Sequence, residues 1–99
     1  MTLRIVKQDG SLHFTGTLNR DTLMQYSPFT LLNDASGTLR FDLSGLSAID
    51  TAGLAWVIKQ LAVAQQKGVT VKLCNVPQQL LSLADVSAVR PLLPVMDEG

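Results

Sequence analysis

The sequence is poor in the residues that build catalytic and metal centres. Its 99 residues include one cysteine, one histidine and one glutamate, namely Cys74, His13 and Glu98. These are too few for a zinc site of ordinary ligand count, and a nucleophilic serine would have only His13 to activate it. The glycines match neither the phosphate-binding loop nor the dinucleotide-binding fingerprint. The composition therefore predicts a protein that is not an enzyme and holds no metal or cofactor.

Long apolar runs are also missing. The longest uninterrupted apolar stretch covers residues 52–58, far short of the roughly 20 residues that span a bilayer. Residues 1–10 lack the apolar segment of a signal peptide, and the lone Cys74 cannot form an intramolecular disulfide. We expect a cytoplasmic protein with no direct insertion into the membrane.

Charge is sparse and balanced. Charged residues make up 16% of the chain, below the usual ~25%, and eight basic residues offset eight acidic ones. Both signs are spread evenly along the chain, which predicts no basic stripe for nucleic acid or an anionic membrane. The hydrophobic fraction of 46% suffices for a core. We expect a single domain over residues 1–99, part of whose surface is covered by something else.

Two short β-type segments open the chain. Residues 3–6 and 12–17 are separated by a stretch that contains Asp9-Gly10, a pair typical of a tight hairpin turn. Because side chains alternate along a strand, His13 falls on the side opposite Leu12 and Phe14. That position predicts a surface residue and not a ligand.

Helical and β-type segments then alternate. Asn19 or Asp21 can cap a helix that runs toward Leu32, and we expect Pro28 to kink or split it. The remaining predicted elements are a strand over Thr38–Leu43 that ends near Asp42, a loop over 44–47, a helix over Ala52–Lys67 closed by Gly68, a strand over Val69–Cys74, a helix after Pro77 and an irregular stretch over Pro91–Pro94. The order ββαβαβα predicts an α/β fold, a small mixed sheet with an N-terminal hairpin, parallel crossovers and helices packed against it.

Asp42 and Asp50 are the one pair of carboxylates that the sequence offers as a candidate site. Both are predicted near the C-terminal end of the third strand. Polar loop and helix-capping roles are common at such positions, and a Mg²⁺ or phosphoryl-transfer pair is the alternative.

The helix over Ala52–Lys67 has apolar residues on two sides. At 100° per residue, one sector faces the sheet and contains Leu54, Val57, Ile58, Leu61 and Ala64. The opposite sector contains Ala52, Trp56 and Val63, with Lys59, Gln60 and Lys67 around them. We therefore expect Trp56 to point outward. Either a neighbouring helix or the tail covers it, or it belongs to a docking face for a partner.

Thr51 precedes this helix, where its hydroxyl can cap the first turn. Capping alone would explain the residue type. A phosphate at the same place would meet unpaired backbone N–H groups and the positive end of the helix dipole. Phosphorylation of Thr51 would then leave the fold intact and repel a docked partner.

Two motifs carry a resemblance to a known family. Phe41-Asp42-Leu43-Ser44, followed by Asp50-Thr51-Ala52-Gly53-Leu54 at the start of a helix, resembles the STAS domain of anti-sigma-factor antagonists. The resemblance extends over the whole chain in length and element order. Asp-Thr-x-Gly-Leu-Ala, the Asn19-Arg20-Asp21 start of the first helix and the proline-rich ending look like the Mla-type branch. In that branch a small cytoplasmic subunit binds the ATPase of a bacterial ABC transporter that maintains outer-membrane lipid asymmetry.

The resemblance implies site residues and two functions. Thr51 matches the family's phospho-acceptor or partner-contacting residue, with Asp50 before it and Asp42 across the loop, and Gly53 matches a glycine that allows close backbone approach. Trp56 and Lys59 match no motif residue and are candidates from the helical wheel alone. The first function is binding to the transporter ATPase. The alternative is an anti-sigma factor antagonist whose binding to an anti-sigma kinase is switched at Thr51.

Overall fold

The computed structural model describes residues 2–24 and 37–95, which share one hydrophobic core. In chain order the elements are β1 (Leu3–Gln8), β2 (Ser11–Leu18), α1 (Arg20–Leu23), β3 (Thr38–Ile49), α2 (Thr51–Gln66), β4 (Thr70–Cys74), α3 (Gln78–Val86) and a 3₁₀ helix (Arg90–Leu92). The predicted continuation of the first helix through Pro28 to Leu32 lies outside the described residues. Within those residues, no helix is long and apolar enough to cross a membrane.

The four strands form one mixed sheet in the order β1-β2-β3-β4. β1 and β2 are antiparallel, whereas β2–β3 and β3–β4 are parallel. The segment that contains α1 connects β2 to β3, and α2 connects β3 to β4. The predicted α/β fold with one hairpin and parallel crossovers is therefore confirmed.

The hairpin turn has the predicted chemistry. Asp9 and Gly10 both have positive φ, 49° and 76°, as a two-residue turn of this kind requires. The strands on either side are longer than predicted, because pairing continues to Gln8 opposite Ser11 at the turn and because Leu18 pairs with Ile49 of β3.

The two faces of the sheet differ in character. One face carries the buried strand residues, such as Leu12, Phe14, Phe41 and Leu73, and the helices pack on it. The other face, here called the open face, is covered by none of the described helices. Its side chains come from alternate positions of all four strands, namely Arg4, Val6, Gln8, Ser11, His13, Thr15, Thr38, Arg40, Asp42, Thr70, Lys72 and the buried Cys74.

The third strand does not end near Asp42, and the predicted 44–47 loop is wrong. β3 continues to Ile49, because β2 is long enough to pair with it along its length. Residues 11–18 of β2 pair with residues 40–49 of β3, and two register shifts absorb the extra residues of β3. Gly45 lies in this irregular part, where a Cβ would be 2.7 Å from the Phe14 carbonyl oxygen. Loop-like composition here reflects bulges within a strand.

The helix after β3 begins one residue earlier than predicted, at Thr51, and ends at Gln66. Gly68 follows with φ of 75°. Its N–H donates to the Gln65 carbonyl at 3.1 Å, and the Val69 N–H donates to the Ala64 carbonyl at 2.9 Å. The predicted glycine termination is confirmed.

The buried side of α2 is turned relative to the helical-wheel prediction. The buried residues are Gly53, Leu54, Val57, Gln60 and Ala64, while Ile58 and Leu61 are only half-buried. Trp56 is half-buried and packs against the core, with its ring 6.0 Å from that of Phe14 in an edge-on arrangement at 70°. The expectation that Trp56 points outward is therefore wrong. The reason is that Gly53 lets the start of α2 lie against β2, which turns the Trp56 side of the helix toward the sheet.

The C-terminal part of the described chain is irregular, as predicted. The 3₁₀ helix Arg90–Leu92 contains Pro91. Val95 then forms a parallel bridge with Leu73 on the outer edge of β4, and the Leu73 N–H donates to the Pro94 carbonyl at 2.9 Å.

Candidate functional site

The site predicted from the sequence is centred on the start of α2. The residue that caps this helix is Asp50. The Asp50 backbone is extended, and its Oδ1 accepts a hydrogen bond from the Gly53 N–H at 2.8 Å. An acidic cap also suits the positive end of the helix dipole. The capping role that we considered for Thr51 is therefore wrong, because Asp50 fills it.

Thr51 is the first residue of α2 and is exposed. Its hydroxyl makes no hydrogen bond to the described part of the chain, and the capping explanation for a hydroxyl residue here no longer applies. Thr51 lies at one end of a row of exposed residues spaced by three or four positions, here called the outer face of α2: Thr51, Ala55, Lys59, Ala62 and Gln66. A hydroxyl that the fold does not use is available to a partner or to a modifying enzyme.

Gly53 brings the start of α2 against the end of β2. A Cβ on Gly53 would lie 2.4 Å from the Leu18 carbonyl oxygen and 2.9 Å from Ile49 Cγ1, closer than carbon atoms tolerate. The Asp50 N–H donates to the same Leu18 carbonyl at 3.3 Å. The close backbone approach expected for Gly53 is present, and it fixes where Thr51 emerges from the surface.

A small open cleft lies beside the end of β3. Residues of β3 and of the start of α3 line it, namely Leu46, Ser47, Ala48, Ile49, Pro77 and Gln79. The Gln79 side chain closes one end by accepting a hydrogen bond from the Ile49 N–H at 3.1 Å. Its volume of about 80 Å³ is well below the ~300 Å³ of typical small-molecule pockets. Sequence reasoning missed Gln79, because its partner is 30 residues away and no pattern links the two.

Lys59 and Trp56 lie on different sides of α2. Lys59 is exposed on the outer face of the helix, about 12 Å along the axis from Thr51 at ~1.5 Å per residue. Trp56 is turned toward Phe14. The structure therefore keeps Lys59 and Thr51 on one accessible surface and places Trp56 at the margin of the core.

Asp42 belongs to a separate cluster on the open face. The β2–β3 register pairs Asp42 with His13 and Ile49 with Leu18, so Asp42 and the end of β3 are five β2 residues apart, about 16 Å at ~3.3 Å per residue. The predicted proximity of Asp42 and Asp50 at one strand end is wrong, because β3 continues past Asp42. Among the described residues, no group of three metal-ligating side chains occurs.

Asp42 is held by three neighbours. Its Oδ1 accepts hydrogen bonds from the Ser44 N–H at 3.0 Å and from the Asn75 side-chain amide at 3.1 Å, and its Oδ2 lies 3.2 Å from His13 Nδ1. Partial burial alone would raise the pKa of Asp42, but the hydrogen bonds from Ser44 and Asn75 and the charge of His13 together lower it. His13 is partly exposed, as predicted, and it also contacts a carboxylate.

The family is shown by a sequence model. A model described as "Mlab, STAS domain" matches residues 1–94. The chain belongs to the STAS-domain family. STAS domains are generally regulatory and interaction modules and not enzymes. No curated protein sequence matches the chain.

Solved structures with the same fold include an anti-sigma factor antagonist and a transporter. The structure of the anti-sigma factor antagonist SpoIIAA in its unphosphorylated form matches with a TM-score of 0.69 and 16% identity, covering 97% of this chain and 89% of that one. Two structures of the Solute Carrier 26 family member A9 match with TM-scores of 0.61 and 0.57 and identities of 18% and 19%, the second being the murine anion transporter in its inward-facing state.

These matches cover 88% and 91% of this chain but only 18% and 16% of the transporter chains. The STAS domain here therefore corresponds to a small part of that transporter. At such identities, both the SpoIIAA and the transporter matches concern the fold.

Proposed function

We propose that this STAS domain is a cytoplasmic accessory subunit that binds the ATPase of an Mla-type phospholipid-transport ABC transporter and regulates or stabilises it. The observation that carries the proposal is the match of residues 1–94 to the family model described as "Mlab, STAS domain". The Asp50-Thr51-Ala52-Gly53-Leu54 motif, which resembles the Mla-type branch, lies within those residues.

The outer face of α2 has the chemistry of a protein-docking surface. Lys59 is the only charged residue of α2, so a partner would displace little strongly held water from this helix. Ala55 and Ala62 are small and exposed, which lets a partner backbone approach closely. The partner contacts would begin at Thr51 and extend toward Lys59, with Asp50 and Gly53 fixing the position of Thr51.

Co-expression and pull-down with the transporter ATPase encoded by the same organism test this proposal. The expected result is a stable complex that is lost in Thr51→Glu and weakened in Ala55→Arg. Thr15→Arg, at an exposed position of the open face, is the matched control and should leave the complex intact. If the unmodified domain does not associate with the ATPase, the proposal fails.

An alternative function is that of an anti-sigma factor antagonist controlled by phosphorylation of Thr51. The likeness to the SpoIIAA fold and the free, exposed Thr51 hydroxyl support it. A phosphate there would add roughly −1.5 to −2 charge beside the Asp50 carboxylate. Binding to a kinase-type anti-sigma factor in place of the ATPase, together with phosphate incorporation into the wild type but not into Thr51→Ala, would favour this alternative.

A further inference from the structure

The open face of the sheet carries more positive than negative charge. Its described charged residues are Arg4, Arg40 and Lys72 against the single carboxylate of Asp42, a net charge of 3 − 1 = +2. The even distribution of charge along the sequence does not show this, because the four residues come from three strands that are far apart in sequence.

Two of these cations lie directly opposite each other. Arg40 on β3 pairs with Lys72 on β4, and neighbouring strands are about 4.8 Å apart. Like charges at directly opposed positions destabilise a sheet. Neither side chain forms an ion pair with a described residue, and both are exposed. Within residues 2–24 and 37–95, the pair therefore has no anion that would neutralise it.

Asp42 does not fill that role. It lies two residues after Arg40 on the same face, but Ser44 and Asn75 hold its Oδ1, and His13 lies against its Oδ2. The carboxylate is thus turned toward these neighbours. The cross-strand cations remain available to an external anion.

The shape of the face indicates which anionic partner fits. Arg4 lies on β1, and Lys72 lies on β4 at the other edge, so the cations are spread over the width of the sheet. No described helix borders this face to form a groove that would hold a single peptide. Among the described residues of this face, Val6 is the one large apolar side chain that is exposed, and a single valine is a small anchor for a hydrocarbon layer. A flat, laterally repeating array of negative groups matches this surface.

We propose that the open face rests on an anionic phospholipid surface through Arg40, Lys72 and Arg4, without insertion. Each Lys or Arg near such a surface contributes a free energy that corresponds to roughly a five-fold change in binding. The contact is weak by itself. It orients a domain that other contacts bring to the membrane, with the sheet toward the lipid and the outer face of α2 directed away.

Sedimentation of the purified domain with vesicles tests the proposal. The vesicles contain phosphatidylcholine with or without 40 mol% phosphatidylglycerol, at about 20 mM salt, where screening is weak. We expect binding only to the anionic vesicles. Arg40→Gln with Lys72→Gln should weaken it about 25-fold, two neutralised charges at roughly five-fold each. Lys59→Gln on α2 with Lys67→Gln at the C-cap of that helix, both at exposed positions, removes the same charge and should change vesicle binding less than three-fold.

The outcomes separate this proposal from others. If both double variants lost vesicle binding equally, the effect would depend on net charge and not on the open face, and the proposal would be overturned. Binding to neutral vesicles as tight as binding to anionic vesicles would also overturn it. So would binding to a poly-glutamate peptide without binding to vesicles, because the partner would then be an acidic protein segment. Thr51→Glu should bind anionic vesicles like the wild type. ATPase binding can thus fail while lipid binding persists, or the reverse.

Discussion

The carboxylate of Asp50 caps α2 by accepting the Gly53 N–H at 2.8 Å, and this single contact separates the roles of two adjacent residues. Asp50 serves the fold, while the neighbouring Thr51 is left exposed. A motif that is continuous in sequence therefore combines a structural residue with a residue available for binding.

The first prediction compares the stabilities of two alanine variants. Asp50→Ala should lower the free energy of unfolding by about 1 kcal/mol, because it removes the cap. Thr51→Ala should change it by less than about 0.5 kcal/mol, since alanine is a good helix former and no hydrogen bond to a described residue is lost. Urea denaturation monitored by circular dichroism measures both. A larger loss in Thr51→Ala than in Asp50→Ala would contradict the assigned cap.

The second prediction concerns close packing at Gly53. Alanine normally stabilises a helix interior relative to glycine by about 1 kcal/mol. At Gly53 the added Cβ would meet the Leu18 carbonyl oxygen at 2.4 Å, so Gly53→Ala should instead destabilise the domain by about 1–3 kcal/mol. Ala62→Gly on the exposed side of the same helix is the control and should show the ordinary cost of about 1 kcal/mol. If Gly53→Ala stabilised the domain, α2 would not lie this close to β2.

The third prediction tests whether Trp56 is a core residue. Trp56 makes an edge-on contact with Phe14, so Trp56→Ala should lower the free energy of unfolding. The loss should be near the lower end of the ~3–5 kcal/mol typical of large aromatic truncations, because the ring is only half-buried. Trp56→Phe should keep most of the contact and lose less. Thermal unfolding measures both losses. A Trp56→Ala protein that melts like the wild type would show that Trp56 is a surface residue and not part of the core.

The fourth prediction is a pH dependence from Asp42. Its pKa is lower in the folded state, so its charged form stabilises the fold above the unfolded pKa of about 3.9, and this contribution is lost as pH falls through the folded pKa. Asp42→Asn should therefore be less stable than the wild type at pH 7, with the difference shrinking below about pH 4. Urea denaturation between pH 7 and pH 2.5 measures it. A constant difference over that range would contradict the assignment.

The sequence correctly predicted those elements that depend only on residues close together in the chain. The Asp9-Gly10 turn and the Gly68 termination depend on residues that adopt positive φ, and both were found from the sequence alone. The strand continuation through Ser44–Ser47 depends on pairing with β2 about 30 residues earlier, and local composition suggested a loop. The orientation of α2 was misjudged for the same reason, since the contact of Gly53 with Leu18 is tertiary.

The candidate site was predicted unevenly. The motif located Asp50, Thr51 and Gly53 together, and the structure keeps them together. Asp42 was placed with them because the third strand was expected to end early. Its true neighbours are His13 on β2 and Asn75, which directly follows β4. The juxtaposition of Arg40 and Lys72 is a matter of strand register, which charge counts along a chain cannot show.

The last prediction separates folding from binding at Thr51. Thr51→Glu places a carboxylate in the first turn of α2, where the helix dipole favours it by about 0.3–1 kcal/mol, so the melting temperature should not fall. The same change puts negative charge and bulk beside Asp50 on the proposed docking surface, and we expect ATPase affinity to drop at least ten-fold. Thr51→Ser, which keeps the hydroxyl, should bind within about three-fold of the wild type. Titration calorimetry of the three proteins measures the affinities, and a Thr51→Glu protein that binds as tightly as the wild type would remove Thr51 from the interface.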